Sequence, residues 1–209
     1  MIKIWGRNTS SNVQKAMWAV GELGVEHDRI DIGGAFGMNK ESKYLAMNPN
    51  GLIPTLEEED GFLLWESNSI VRYLAAKYDK AGALEPKDPK QCALASQWMD
   101  WQLTVLGPAI GPAFWGLIRT APEKRDMAAI KASQDKTADA MKMLDARLAK
   151  ATYVAGPSFS CGDIPVGVMC YRYRQLVPGR PPTPNLDRWY DAIAKRKAFH
   201  DNVGSIPLS

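Results

Sequence analysis

The sequence predicts a mixed α/β unit followed by an all-helical half, on three observations. From Met1 to about Tyr78, short apolar runs rich in Ile, Val, Leu and Trp alternate with stretches of helical period. Asp79 to Pro89 then carries two prolines, a glycine and charges of both signs, as a connecting segment does. Beyond it the periodicity is helical only, with no convincing strand pattern.

Ile2 to Gly6 reads as the first strand, and Val13 to Leu23 as a helix with Val13, Met17 and Val20 on one face and Gly24 as its stop. His27 to Ile32 is the second strand, ended by Gly33-Gly34-Ala35-Phe36-Gly37, and Ser42 to Met47 is a short helix before Pro49. Ile53 to Glu57 and Phe62 to Trp65 flank an acidic turn closing on Asp60-Gly61, which suits a tight hairpin. Ser67 to Lys77 follows as a helix with Ile70, Leu74 and Tyr78 aligned. The order β-α-β-α-β-β-α implies a four-stranded mixed sheet: strands joined through a helix lie parallel and the hairpin adds antiparallel ones. In the second half, Gln91 to Trp115, Asp126 to Lys150, Ile164 to Leu176 and Leu186 to Lys195 read as helices. Gly107-Pro108 and Gly111-Pro112 are expected to bend or interrupt the first of them. The expected division is 1–79, a linker over 80–89, and 90–209.

Composition narrows the function. With 45% apolar and 23% charged residues the chain has the make-up of a globular protein, and a net charge of +3 with acids interspersed does not argue for nucleic acid. No run approaches the length of a membrane span, and Met1 to Gly6 lacks the pattern of a secretion signal. Three scattered cysteines, Cys92, Cys161 and Cys170, fit reduced thiols in a cytosol. His27 and His200 are the only histidines and no CxxC occurs, so no metal site is expected.

Three segments carry candidate chemistry. Ile53-Pro54 opens a strand with a residue that cannot donate to a ladder and whose peptide bond is the common site of a cis isomer. That leaves the backbone of Ile53 to pair with an extended peptide, although an ordinary edge-strand turn accounts for the proline equally. Glu66-Ser67 stands where a strand gives way to a helix: the helix amides and Ser67 suit a ligand carboxylate and Glu66 a ligand ammonium, and a plain helix cap is the alternative. Asn8-Thr9-Ser10-Ser11-Asn12 is a polar cluster between first strand and first helix, where α/β sheets gather ligands. Its serines have no histidine partner for nucleophilic catalysis, so donation to a thiolate is the chemistry open to them beyond capping.

Asn48-Pro49-Asn50-Gly51-Leu52-Ile53-Pro54-Thr55-Leu56, followed by Glu66-Ser67-Asn68-Ser69-Ile70-Val71-Arg72-Tyr73-Leu74, resembles the glutathione-binding half of the soluble, cytosolic glutathione transferases. Ser160-Cys161-Gly162-Asp163-Ile164 is similar to the Ser-x-x-Asp cap that opens a central helix of that family's second domain. The resemblance spans nearly the whole chain and is weakest over Gln91 to Thr120. It points to bacterial, serine-type members with a theta-, delta-, zeta- or phi-like first loop, since no tyrosine or cysteine lies in that loop.

The resemblance implies a thioredoxin-like domain over 1–79 that binds glutathione, and an all-α domain over 90–209 that holds the acceptor. It also implies a cytoplasmic homodimer that detoxifies small hydrophobic electrophiles, with glutathione as co-substrate and no permanently bound cofactor. Carried over, Pro54 is the cis-proline, Ile53 the backbone partner of the cysteinyl group, and Glu66 and Ser67 the γ-glutamyl contacts. Ser11 meets the sulfur in a theta-, delta- or zeta-like alignment and Ser10 in a phi-like one, with Asn12 alongside. The glycyl carboxylate falls near Asn50, Gly51 and Leu52; Gly51 departs from histidine- or lysine-bearing variants, so Lys40 or Asn50 is the substitute. Acceptor contacts are expected from Asn8 and from an aromatic group that includes Trp101, Phe114 and Trp115, in a cleft between domains, although such helix residues also serve as core. A glutathione-dependent peroxidase or dehalogenase, and a non-catalytic glutathione-binding or interaction module, are the alternatives. A glutaredoxin-like role is disfavoured by the loop's lack of cysteine.

Overall fold

Strand β1 (Ile2–Trp5) is central to its sheet because its alternation turns Ile2 and Ile4 inward, where both are buried. The computed structural model describes residues 1–82 and 84–209; they fall into two units, Met1–Glu85 with Lys197–Pro207, and Pro86–Arg196 with Leu208–Ser209. The expected linker over 80–89 includes Ala83, which lies outside the described residues.

In the first unit, β1 runs parallel to β2 (His27–Ile30) and antiparallel to β3 (Thr55–Glu57), which pairs with β4 (Leu63–Trp65), giving the order β2-β1-β3-β4. This is the mixed four-stranded sheet expected from the sequence. Helix α1 (Ser11–Leu23) supplies the crossover between the parallel pair, and Gly24 ends it at φ 63°, while the N–H of Val25 reaches back to Val20 O at 3.2 Å. Helix α2 (Ser42–Met47) precedes the hairpin and α3 (Ser67–Tyr78) follows it, packing on α1.

Four strand ends differ from the expectation, the first being β1, which stops at Trp5 rather than Gly6. β2 stops at Ile30 rather than Ile32 because its partner β1 stops at Trp5; Arg7 N–H still bonds Ile32 O at 3.1 Å, outside the ladder. β3 begins at Thr55 rather than Ile53, since Pro54 has no N–H to give, and β4 begins at Leu63 rather than Phe62. Within the hairpin loop Glu58 is buried and accepts from the hydroxyls of Tyr73 (2.8 Å) and Tyr78 (2.9 Å) and from Lys77. Burial opposes its ionisation, but the Lys77, Tyr73 and Tyr78 bonds outweigh it and hold the carboxyl below the usual range.

The second unit is helical. α4 (Pro89–Trp101) starts with Asp88 accepting from Gln91 N–H at 3.1 Å and with proline at its first position. α5 (Gly107–Phe114) continues it, joined by a π-helical turn at Gln102–Leu106 and followed by another at Trp115–Arg119. Neither proline interrupts the helical path: the N–H of Gly107 reaches back five residues to Gln102, and the wider turn accommodates the ring of Pro108. α6 (Met127–Leu148) is capped by Asp126, whose carboxylate accepts from Ala129 N–H at 2.9 Å; α7 (Asp163–Leu176) and α8 (Pro184–Ala194) complete the unit. The helical tail Lys197–Gly204 packs with the first unit, where Phe199 meets Trp18 edge-on at 4.8 Å.

Asp163 holds the second unit's core in register. Fully buried, it accepts from Val154 N–H (3.0 Å) and Trp189 Nε1 (2.8 Å) through one oxygen. The other oxygen accepts from Ser160 N–H (2.9 Å) and its hydroxyl (3.1 Å). The expected Ser-x-x-Asp cap is thus half formed: the acid reaches back to the Ser160 amide, while Asp163 N–H bonds the Ser160 carbonyl at 3.0 Å, not its hydroxyl. Burial pushes the carboxyl up to about 6 against the lowering by those donors. A raised carboxyl pKa means that the fold binds the proton more tightly than the unfolded chain. The stability it contributes is therefore full below about pH 4 and is lost as pH rises through about 6. We expect Asp163→Asn to flatten that part of the melting-temperature profile. Asp163→Ala strands three buried N–H donors and is expected to cost on the order of 3 kcal/mol or more in denaturant unfolding.

Candidate functional site

One rung of the sheet gathers the site. Trp5 pairs with Thr55 and Thr55 with Trp65, so the segments just beyond them, Gly6 to Ser11, Ile53-Pro54 and Glu66-Ser67, emerge at the same sheet end. The Ile53–Pro54 peptide bond is cis. A methyl built on Gly6 would lie 3.3 Å from Ile53 Cβ and one on Gly33 3.0 Å from Ile53 Cδ1, so the Ile53 side chain seats against two glycines. Its N–H and C=O take no hydrogen bond among the described residues.

The turn before Pro54 is fastened from several sides. The buried hydroxyl of Tyr44 donates to Leu52 O (2.7 Å) and meets Thr55 Oγ1 (2.8 Å), and Asn48 Nδ2 donates to Leu52 O (2.8 Å). Burial pushes the Tyr44 phenol up, so it stays protonated. Asn48 Oδ1 accepts from the N–H and the side-chain amide of Asn50, each at 3.1 Å; Asn39 Nδ2 donates to Gly51 O (2.8 Å) and Lys40 Nζ to Asn50 O (3.1 Å). Gly51 sits at φ 59°, where a Cβ would meet Lys40 Nζ at 2.7 Å and Asn39 O at 2.8 Å. Glycine is therefore required there, and the lysine ammonium occupies the side-chain space it leaves. The side chain of Leu52 is exposed at 61%, facing away from the bonds to its carbonyl.

Ser10 is the N-cap residue of α1 and Ser11 its first helical residue, both half-buried; the Ser10 hydroxyl caps no amide. Neither serine hydroxyl takes a hydrogen bond among the described residues, so the alternatives Ser10 and Ser11 both stand. Asn12 and Asn8 are exposed on either side. Glu66 precedes α3 at φ 72°, a left-handed value costly for a residue with a Cβ, and turns an exposed carboxylate away from the strand. Ser67, buried, begins α3, and its hydroxyl accepts from Lys15 Nζ at 3.4 Å.

In the second unit the expected aromatic group resolves into two pairs. Trp98 and Trp101 meet edge-on at 4.9 Å, with Trp98 buried and Trp101 half-buried. Phe114 and Trp115 meet at 6.2 Å, with Phe114 under the guanidinium of Arg172 at 4.3 Å and Trp115 exposed at 64%. Sequence reasoning missed Tyr44, Asn48, Asn39 and Lys15. Asn48 before Pro49 carried a turn signal; nothing in the pattern pointed to the other three. Among the described residues no cluster of His, Cys, Asp or Glu can hold a metal ion, and no helix is long and apolar enough to cross a membrane.

The glutathione S-transferase N-terminal domain profile matches residues 9–77, and the C-terminal domain profile of the same family matches 127–192. The chain is 42% identical over 210 residues to glutathione S-transferase GstB of Escherichia coli K12, with all of both proteins covered. It is 29% identical to glutathione S-transferase 3 of Zea mays over 99% of this chain and 95% of that one. Its fold superposes at a TM-score of 0.94 on the theta class glutathione S-transferase of Xanthomonas axonopodis pv. citri with glutathione bound, 42% identical and covering 100% and 99% of the two chains. The chain belongs to the glutathione S-transferase family and is a glutathione transferase, with a thioredoxin-like N-terminal domain and a helical C-terminal domain.

The Gly51 turn offers a direct check on this geometry. Gly51→Ala combines a left-handed φ with two contacts under 3 Å. We expect a stability loss of about 2–3 kcal/mol, read by denaturant unfolding, against about 1 kcal/mol for Gly24→Ala, which shares a left-handed φ of 63° but has no atom within 4 Å of the added methyl, so that only the backbone cost remains.

Proposed function

We propose that the first unit binds glutathione as an added strand against Ile53 and conjugates its sulfur to small hydrophobic electrophiles. The observation that carries this is the rung Trp5–Thr55–Trp65, which brings the unbonded Ile53 peptide groups, the start of α3 and the serines of the first loop to one sheet end. Ile53 N–H and C=O pair with the cysteinyl backbone. Ser67 and the α3 amides receive the γ-glutamyl carboxylate, and Glu66 its ammonium. Lys40 and Asn50 stand at the glycyl end, which fits a second carboxylate.

Ser10 or Ser11, at the α1 N-terminus, donates to the thiolate. Lowering a thiol pKa by about two units takes roughly 2.7 kcal/mol, within reach of one charge-assisted hydrogen bond plus a helix end. The thiolate then attacks the electrophilic carbon: a C–S bond forms and, for an aryl halide, halide leaves with the bonding pair. For such an acceptor the second unit offers apolar contacts in exposed Trp115 beside Phe114 and in Trp101, and the first unit offers the exposed amide of Asn8. Thiol–disulfide chemistry has less support, because Cys161 and Cys170 are buried and Cys92 bonds Pro86 O at 2.6 Å.

Cys92, Cys161 and Cys170 form no disulfide, which fits a reducing cytoplasm. Exposed Phe62 and Trp65 on the hairpin, and Leu103 and Val105 on the π-helical turn, are apolar surface that a second copy of the chain would cover, making a homodimer that detoxifies electrophiles.

Two measurements test the reading. With a generic aryl halide, we expect Ser10→Ala or Ser11→Ala to lower turnover by about 10²-fold, on the scale of losing one donor to a developing anion; unchanged turnover in both removes serine from the mechanism. Light scattering at micromolar concentration is expected to give twice the chain mass, and a monomer refutes the dimer.

A further inference from the structure

Lys15 is fully buried on α1, one turn beyond Ser11, in a buried run from Val13 to Val20 whose only other polar side chains are Gln14 and the indole of Trp18. Packing alone would be met there by leucine or methionine, and a buried ammonium is costly unless it is hydrogen-bonded. Its Nζ lies 3.4 Å from the hydroxyl oxygen of Ser67, which is itself buried.

We propose that Lys15 is a positioning residue that turns the Ser67 hydroxyl into a donor toward the α-carboxylate at the γ-glutamyl end of the tripeptide; the inference rests on the glutathione reading above. An ammonium donates and cannot accept, so Ser67 Oγ is the acceptor in this contact and keeps its own O–H for a third group. The amides of the first turn of α3 are donors as well and cannot receive that proton. The remaining direction is outward, where an anion accepts from the hydroxyl and from the α3 amides together. The buried ammonium adds a full positive charge behind the partial charge of the helix end. Without Lys15 the same hydroxyl is free to turn and accept from its own helix, as capping serines do, which would present a lone pair to the carboxylate.

The experiment compares the affinity of glutathione with that of its analogue in which 4-aminobutyryl replaces γ-glutamyl, so that only the α-carboxylate is missing. Calorimetric titration is run on the native chain, Lys15→Met, Lys15→Arg, Ser67→Ala and the double variant Lys15→Met/Ser67→Ala, each checked for folding by its melting curve. We expect the native preference for glutathione to fall about tenfold in Lys15→Met and in Ser67→Ala, roughly the factor carried by one hydrogen bond to a charged group. The double variant falls no further, and Lys15→Arg recovers most of the preference. In turnover, KM for glutathione rises with the dissociation constant while kcat changes by a smaller factor.

A folded Lys15→Met that keeps the native preference overturns the proposal, as does an additive loss in the double variant. Should Lys15→Met fail to fold, Ser67→Ala with the native preference overturns it, and loss in Ser67→Ala with recovery in Lys15→Arg supports it. A chain in which Ser67→Ala loses the preference while a folded Lys15→Met keeps it defeats the role of Lys15 alone and leaves the glutathione reading standing. A native chain that binds neither ligand defeats the glutathione reading and the proposal with it.

Discussion

The geometry of the site depends on Thr55. Its backbone is paired on both sides, with Trp5 and with Trp65, at the last rung of the sheet. Its buried hydroxyl is shared by Tyr44 OH at 2.8 Å and Asn48 Nδ2 at 3.3 Å, and the same two groups grip the carbonyl of Leu52. One residue thus ties the end of the sheet to the short helix and to the turn ahead of it. A hydrogen-bond web of this kind is stiff because each buried polar group has its partner, and removing one leaves the others unsatisfied. With Leu52 and Thr55 held, the two residues between them have few conformations open, and the N–H and C=O of Ile53 take no hydrogen bond among the described residues.

Anion recognition and structural electrostatics are kept apart in the chain. The groups proposed to meet the ligand's carboxylates are donors: the first-turn amides of α3, the Ser67 hydroxyl contacted by Lys15, and Lys40 over Gly51. The carboxylates that hold the fold are surrounded by protein donors instead, Glu58 by Lys77 and two tyrosines, and Asp163 by two backbone amides, an indole and a hydroxyl. The two differ in sign. Glu58, lowered by its partners, adds stability that is lost as pH falls, whereas Asp163, raised by burial, adds stability that is lost as pH rises.

Most of the fold was legible because its cues are local. Gly24 ending a helix, Asp-Gly closing a hairpin and proline barring a ladder bond each act within a few residues, and the β-α-β-α-β-β-α order follows from them. What escaped is non-local. Whether β2 runs to Ile30 or Ile32 depends on where β1 ends, 25 residues earlier in the chain by the pairing of Trp5 with Ile30. That the tail around Phe199 belongs with Trp18 rather than with the helices before it is a matter of ring packing, which periodicity does not encode. Lys15 is the sharpest case: at its position the sequence shows a charged residue in an amphipathic helix, which reads as solvated, and only the approach of α3 makes it buried.

The same distinction explains why the tripeptide is easier to read than the acceptor. A peptide ligand is met by backbone groups, helix ends and turns, and those are written in Pro, Gly, Ser and Asn at fixed spacings. An apolar electrophile is met by side-chain faces, and the aromatic residues that offer them also build cores. Phe114 shows the ambiguity within a single residue: its ring carries the guanidinium of buried Arg172 at 4.3 Å, an interaction that steadies α5 against α7, while its edge meets the exposed Trp115. A ring held in this way would give the proposed acceptor a rigid wall at no further entropy cost, so packing and the proposed recognition make the same demand on the aromatic pair at the end of α5. Trp115 leaves more of its ring uncovered than Phe114 or Trp101, so under the proposed reading it is the ring most open to an acceptor.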